Sequence, residues 1–364
     1  MSCRRIPRYD CPGPLKTALF DYELPESSIA VRPPERRDAA RLLVLRKGGV
    51  QHRRMVDWPA LLEQGSLIVL NDTRVLKARL LGQRATGGRV EILLLRRLAR
   101  ADGGRRERWE ALGRAGKPLR LGTRVRAGDL EVEIVERAEG GMLTVNLVAE
   151  GAVTDAIERS GHVPIPPYLA RQDEPADAER YQTIFARHPG SSAAPTAGLH
   201  LSSELLQRLE ARGHRLAALT LHVGLATFRP VNSAELDDHP MHAEEFEVSA
   251  ALAAELQAAR SAGRRVVAVG TTVVRALESA ADPERPGLVL PRRGSTRLFI
   301  RPGYRFRVVD ALLTNFHLPR STLLAMVGAF AGRERLLDAY ASALSEGYRF
   351  LSYGDAMWIP ERVD

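Results

Sequence analysis

At 364 residues, 45% apolar and 27% charged, the chain is too long for one ordinary core and too apolar for a disordered segment. Its two cysteines, Cys3 and Cys11, stand in a Pro-containing leader, which excludes a disulfide framework and a CxxC zinc pair. The formal net charge of +9 is unevenly placed: residues 71–120 hold 14 Lys/Arg against 5 Asp/Glu, and the remainder is balanced at 39 of each sign.

Such a concentration of charge is an electrostatic footprint for a polyanion, with a solvated Arg-rich surface as the alternative. No apolar run approaches the roughly 20 residues that span a bilayer. The start, Met1-Ser-Cys-Arg-Arg-Ile-Pro-Arg8, lacks the apolar core of a secretory signal. A cytoplasmic monomer without a membrane partner is the default, and the isolated histidines, with no His-x-x-x-His pair beside an acid, predict no metal site.

In chain order, Leu42 to Leu45 and Leu67 to Leu70 read as short buried strands with a helix over Met55 to Gln64 between them, an arrangement that fits parallel pairing. From Arg74 to Val148 the texture changes to short apolar stretches (Val75 to Leu81, Val90 to Leu95, Arg108 to Leu112, Leu130 to Val135, Met142 to Leu147) separated by Gly turns. That pattern predicts a small β-barrel or sandwich. Helical texture returns at Thr154 to Ser160, and three prolines force Gly161 to Tyr168 to be extended. Ser202 to Arg212, with a Ser cap and Gly213 as its stop, reads as a helix. Strand Leu216 to Val223, helix Ala250 to Ala262, strand Arg265 to Val269, helix Thr272 to Ala280, strand Tyr304 to Leu313 and helix Ser321 to Phe330 follow. The alternation predicts an α/β fold with a mainly parallel sheet and covering helices, interrupted by an inserted small β-barrel. The expected domains are 1–72 with 151–364, of which 1–18 form a flexible leader, and the basic insert 73–150.

In three places an apolar run breaks into a polar loop and restarts as a helical pattern: Ala194 to Ser202, Val266 to Thr272 and Leu312 to Thr322. In open α/β sheets ligands bind at such loops, because strand ends and helix N-termini converge there. The chemistry is therefore expected among them.

The runs Leu70-Asn-Asp-Thr-Arg-Val75, Gly161-His-Val-Pro-Ile-Pro-Pro-Tyr168, Glu179-Arg-Tyr-Gln-Thr183, Ala193-Ala-Pro-Thr-Ala-Gly-Leu-His200, Leu221-His-Val-Gly-Leu-Ala-Thr-Phe-Arg-Pro230, Val269-Gly-Thr-Thr272 with Arg275-Ala-Leu-Glu-Ser279, Thr314-Asn-Phe-His-Leu-Pro319 and Tyr353-Gly-Asp-Ala-Met357 carry a resemblance. In order from Phe20 to Ile359, the chain resembles the S-adenosylmethionine:tRNA ribosyltransferase-isomerase family of queuosine biosynthesis. Departures are mild, such as Leu201 after His200 where an aromatic is common. The resemblance implies transfer of the ribosyl part of S-adenosylmethionine to the aminomethyl nitrogen of a 7-deazaguanine at the tRNA wobble position, isomerisation to an epoxycyclopentanediol, and release of adenine and methionine. S-adenosylmethionine would be consumed as a substrate, with no further cofactor.

That reaction needs a base for the carbon beside the sulfonium and an acid or hydrogen bond for departing adenine, and groups titrating near pH 7 suit both. His200, His222 and His317 at loop or strand ends are the catalytic candidates, although each could simply bond backbone at a turn. Thr271 and Thr272 at a helix N-terminus, with Thr196 and Gly198 in a close-approach loop, are candidates for substrate contact, and an ordinary Thr cap explains Thr272 equally well. Arg275 could hold a carboxylate or a phosphate, or be a structural ion pair. Asp310, Asn315, Tyr353 and Asp355 are candidates for the ribose hydroxyls or adenine edge. Arg74, Arg79, Arg84, Arg89, Arg96 and Arg97 are candidates for tRNA phosphates, and Asn71 with Asp72 reads as an Asx turn. One rival reading is an S-adenosylmethionine-dependent RNA methyltransferase, disfavoured because no G-x-G-x-x-G run follows a first strand. Another is a non-catalytic RNA-binding module, disfavoured by an aromatic content of 5%.

Overall fold

The computed structural model describes residues 15–138, 141–224 and 230–363. By its internal contacts the chain divides into two units, the first comprising 15–71, 195–221 and 230–363, and the second 72–194 with 222–224. Cys3, Cys11 and most of the expected leader lie outside the described residues. Within the leader's expected span, Thr17 is buried, its backbone N–H donating to the Ala234 carbonyl at 2.8 Å and its hydroxyl to that of Ser233 at 2.8 Å.

The strands, numbered along the chain, are β1 (Arg41–Arg46), β2 (Gly49–Arg54), β3 (Leu67–Asn71), β4 (Thr73–Val75), β5 (Arg79–Arg84), β6 (Arg89–Ala101), β7 (Arg106–Ala115), β8 (Arg124–Ala127), β9 (Leu130–Arg137), β10 (Met142–Val148), β11 (His188–Ser191), β12 (Arg215–Leu221), β13 (Glu244–Val248), β14 (Val266–Val269), β15 (Arg292–Thr296), β16 (Ala311–Asn315) and β17 (Ala356–Ile359). The helices are α1 (Val153–Ser160), α2 (Asp177–Arg180), α3 (Ser203–Ala211), α4 (Ala250–Ser261), α5 (Thr271–Ala280), α6 (Thr322–Ala331) and α7 (Arg333–Ser345).

The first unit is built on a nine-stranded sheet in the order β15-β13-β12-β3-β14-β16-β17-β1-β2. Its centre, β12, β3, β14 and β16, is parallel, and β3, β14 and β16 are buried along their whole length, as strands covered on both faces must be. The sheet is nevertheless mixed, not mainly parallel: β13 and β15 run antiparallel on one flank, and β17 lies antiparallel to β16 on the other. Strand β1 pairs with β17 and closes a hairpin with β2, so β1 and β3 do not pair. Strand β2 escaped sequence reading because it is polar and exposed, and β17 because it is only four residues long.

Two other expectations are corrected by side chains. The segment 304–310 is not strand; the buried Glu278 carboxylate of α5 accepts the N–H groups of Arg307, Val308 and Val309 at 2.9, 3.0 and 3.2 Å and the Tyr304 hydroxyl at 3.0 Å, taking the donors a ladder would use. The helix expected to reach Gln64 is a 3₁₀ turn, Met55–Ala60, with Pro59 near its end. The expected Ser202 cap accepts the N–H of Leu205 at 3.1 Å, and Ser249 and Ser321, not named as caps from the sequence, accept those of Leu252 and Leu324 at 3.1 and 3.2 Å.

In the second unit, strands β10-β7-β6-β5-β8-β9 form a closed barrel, which leaves no unpaired sheet edge. Alternate residues point inward, among them Val90, Ile92 and Leu94 of β6 and Leu130, Val132 and Ile134 of β9, and Val153, Ala156 and Ile157 of α1 extend that core. Strand β8 was missed in sequence, because Arg-Val-Arg-Ala is too short and charged to signal itself. Strand β11 pairs parallel with β4.

Candidate active site

In the first unit the parallel strands β12, β3, β14 and β16 end along one edge, at Leu221, Asn71, Val269 and Asn315. Asn71 is not simply a turn residue. Its amide spans two strands, donating to the Leu221 carbonyl at 2.9 Å and accepting the Leu221 N–H at 3.0 Å, and it also reaches Thr272 Oγ1 at 3.3 Å. Next along the edge, Gly270 takes a φ of 95°, which strains any residue bearing a Cβ. Helix α5 therefore begins without a side-chain cap, and Thr271 and Thr272 are buried at its first turn. A Cβ at Gly270 would come 3.5 Å from Ala197 Cβ, so the 3₁₀ turn Thr196–His200 lies against the start of α5. Gly198 is buried in that turn and Thr196 is half-buried.

His200 closes this turn and meets the end of β16, where Asn315 Nδ2 donates to His200 Nε2 at 3.1 Å and to the Leu351 carbonyl at 3.1 Å. Asn315 Oδ1 is buried with no partner among the described residues, a state worth about 1–3 kcal/mol to relieve. His317 Nε2 lies 2.8 Å from Thr314 Oγ1, and its backbone is pinned on both sides, donating to Tyr340 Oη at 2.9 Å and accepting from Tyr22 Oη. Burial holds both imidazoles far below their ordinary range. His200 falls to about 4, helped by the nearby Arg349 charge, and His317 falls to about 3. Neither titrates near pH 7, contrary to the sequence expectation. At neutral pH each is a fixed neutral hydrogen-bonding group.

The other candidates divide. Because β17 runs antiparallel to β16 with Ala356 opposite Asn315, Tyr353 and Asp355 belong to the loop entering this same edge, and both are buried. The Asp355 carboxylate accepts the N–H groups of Arg41 and Arg349, each at 2.8 Å, and so shapes that loop. Asp310 precedes β16 and lies at the opposite edge, bonded to the Val266 N–H at 2.8 Å and to Arg260 at 3.1 Å. It is not brought together with the histidines. Arg275 is buried in an ion pair with Glu244 and donates to the Leu298 carbonyl at 3.1 Å.

His222 belongs to the second unit. Its Nδ1 lies 2.8 Å from Thr73 Oγ1, which is itself 2.8 Å from Ser191 Oγ. Sequence reading named neither hydroxyl as a site residue; the available signal was that Thr73 stands inside the run Leu70 to Val75. Of the candidate phosphate contacts, Arg74 and Arg89 are exposed. Arg79 is paired with Glu91 at 2.8 Å, Arg96 with Glu110 at 2.8 Å and Arg97 with Glu107 at 3.2 Å. Arg84 donates to the carbonyls of Lys117 and Pro118, which are neutral acceptors. Among the described residues no group of three His, Cys, Asp or Glu is placed to hold a metal ion, and no helix is long and apolar enough to cross a membrane.

Residues 17–359 match the family model described as queuosine biosynthesis protein. An S-adenosylmethionine:tRNA ribosyltransferase-isomerase of Sorangium cellulosum is 56% identical over 95% of this chain and 98% of its own. The protein of the same name from Moorella thermoacetica is 49% identical over 93% of this chain and 98% of its own. The crystal structure of S-adenosylmethionine tRNA ribosyltransferase from Thermotoga maritima is similar with a TM-score of 0.52 and 35% identity, covering 94% of this chain and 99% of that one.

Proposed function

The chain belongs to the queuosine biosynthesis protein family, and from that premise we infer that it is an S-adenosylmethionine:tRNA ribosyltransferase-isomerase. It transfers and isomerises the ribosyl moiety of S-adenosylmethionine onto the 7-aminomethyl-7-deazaguanine wobble base of tRNA, giving epoxyqueuosine-tRNA with release of adenine and methionine. The observation that carries this is similarity along the whole chain, at 49 to 56% identity, to relatives that bear that activity in their names. The sulfonium acidifies its neighbouring carbons, so a positioned base can start the rearrangement without another cofactor.

We place S-adenosylmethionine at the strand-end edge of the first unit, against Thr196, Gly198, His200, Thr271, Thr272, Asn315, His317 and Tyr353. The buried, partnerless Oδ1 of Asn315 supports this, since it suits an N–H or O–H of the adenosyl group. Arg275, Asp310 and Asp355 serve as supports, because their charges are already engaged by protein groups. With ribose-labelled S-adenosylmethionine and precursor-bearing tRNA, we expect adenine and methionine in equal amounts, label in the wobble base and activity that persists in a chelator. Formation of S-adenosylhomocysteine would establish the methyltransferase reading instead.

We place tRNA phosphates on the barrel. Glu107 and Glu110 locally offset Arg96 and Arg97, whereas Gln83 of β5 stands opposite both Arg89 of β6 and Arg126 of β8; Arg126 also faces Glu131 of β9, and Arg114 of β7 faces Glu91. Arg89, Arg114 and Arg126 are exposed, with Arg84 beside them. Changing Arg89, Arg114 and Arg126 to Gln should weaken tRNA binding whatever the sequence and reduce the slope of log affinity against log salt by roughly 0.7 to 0.9 per lost contact. The pair Arg96→Gln and Arg97→Gln should have the smaller effect. An unchanged slope in the triple variant would remove the barrel from the tRNA surface.

A further inference from the structure

The side-chain amide of Asn315, at the end of β16, fits one way round only. The Leu351 carbonyl oxygen is an acceptor and nothing else, so the Asn315 atom that meets it at 3.1 Å is the nitrogen, Nδ2. The same nitrogen lies 3.1 Å from His200 Nε2. With one N–H given to Leu351 the other goes to His200, and Nε2 receives it with its lone pair. Turning the amide over would set Oδ1 against the Leu351 carbonyl, acceptor to acceptor among buried residues. Leu351 itself is held at a φ of 71°, which strains a residue bearing a Cβ, and its carbonyl also receives the Gly354 N–H at 3.0 Å. A Cβ on Gly354 would strike the Arg349 and Phe350 carbonyls, so the turn that presents the Leu351 carbonyl has room only for glycine there.

We infer that the Leu351 carbonyl, acting through Asn315, holds neutral His200 with its proton on Nδ1, so that His200 is a hydrogen-bond donor to S-adenosylmethionine and not the base of the reaction. The inference rests on the reaction and the site assigned above, and every residue in it belongs to the first unit. A neutral imidazole has one lone pair, and Asn315 occupies it. Among the described residues His200 makes no other hydrogen bond, so Nδ1–H is what remains for a ligand. Burial, with the nearby Arg349 charge, keeps the ring neutral at pH 7. His200 is not the acid either, because loss of the Nδ1 proton would leave an imidazolate. A fixed neutral donor suits an atom that gains electron density, as adenine does when its bond to the ribose carbon breaks and takes the electron pair. His200 gives up no proton in that step, since the hydrogen bond strengthens as charge develops. Asn315 and the Leu351 carbonyl are thus positioning groups, acting through His200.

The test is the imidazole ¹⁵N spectrum of the full-length protein at pH 7, with the His200 signals identified by their loss in His200→Gln. The wild type should show a protonated Nδ1 and a pyridine-like Nε2. Asn315→Asp offers Nε2 only acceptors and keeps an oxygen in place of Oδ1. It should put a proton on Nε2 and lower kcat by roughly 10- to 100-fold, with KM for S-adenosylmethionine little changed. His200→Asn carries an N–H close to where Nδ1–H stands, which Gln does not, so it should retain roughly tenfold more turnover than His200→Gln. A proton on Nε2 in the wild type would overturn the inference, as would an Asn315→Asp protein with Nε2 still unprotonated, or a His200→Asn protein no more active than His200→Gln. The wild-type spectrum decides the matter even where Asn315→Asp fails to fold. It is read without turnover, so it separates failure of this inference from failure of the assigned reaction, which would show as S-adenosylhomocysteine or no adenine from the wild type.

Discussion

Turnover is expected to fall by roughly 10²-fold or more when His200 or His317 is replaced by Gln, with the fold retained. Both side chains are buried at the strand-end edge and neutral at pH 7, so what they offer is not charge but a hydrogen-bonding atom fixed by packing and by a bonded neighbour. His200 Nε2 accepts from Asn315, which leaves Nδ1–H as its donor. Gln keeps a donor and an acceptor but carries them on a flexible chain, losing the preorganisation that makes such a group effective. Because His200 and Asn315 share a hydrogen bond, combining His200→Gln with Asn315→Leu should cost much less than the product of the single losses. A Gln variant with near-normal turnover and an unaltered pH profile reassigns that histidine to structure.

Stability should fall steeply as pH drops from 7 to 5. In the unfolded chain both histidines take up a proton as pH falls through about 6.5, whereas in the folded protein they stay neutral until about 4 and about 3. The unfolded state thus binds more protons over this window, so the contribution of the buried neutral rings is fully present above pH 6.5 and is lost on acidification. Each ring accounts for about 2 kcal/mol between pH 7 and 5, and together they are a sizeable share of an ordinary domain's 5–15 kcal/mol. Denaturant midpoints at pH 7, 6 and 5 measure this, and His317→Gln should flatten the dependence by about half. An equally steep curve in that variant would place the acid sensitivity elsewhere.

Much of this protein was legible in its amino-acid order, because the signals are local. Ser before a periodic run and Gly after it marked α3, and a closing Gly marked the end of α4, since caps satisfy backbone groups within a few residues. Continuous apolar runs marked β3 and β14, and Gly-punctuated alternation with excess Arg marked the barrel strands. The loops carrying His200, Thr271 and Asn315 announced themselves by interrupting such runs, and the motifs pointed to a family.

What only the tertiary structure decided depends on partners distant in sequence. The mixed sheet follows from β13 and β15 running antiparallel on one flank and from β17 entering between β16 and β1 on the other, more than 300 residues from β1. The lowered protonation of His200 and His317 comes from complete burial, which no local pattern encodes. Which group faces an arginine is set by strand pairing: Glu110 takes Arg96, whereas Arg89 faces Gln83. Composition fixes how many charges and hydroxyls a chain carries, but their free energies depend on the neighbour at about 3 Å, and folding chooses that neighbour.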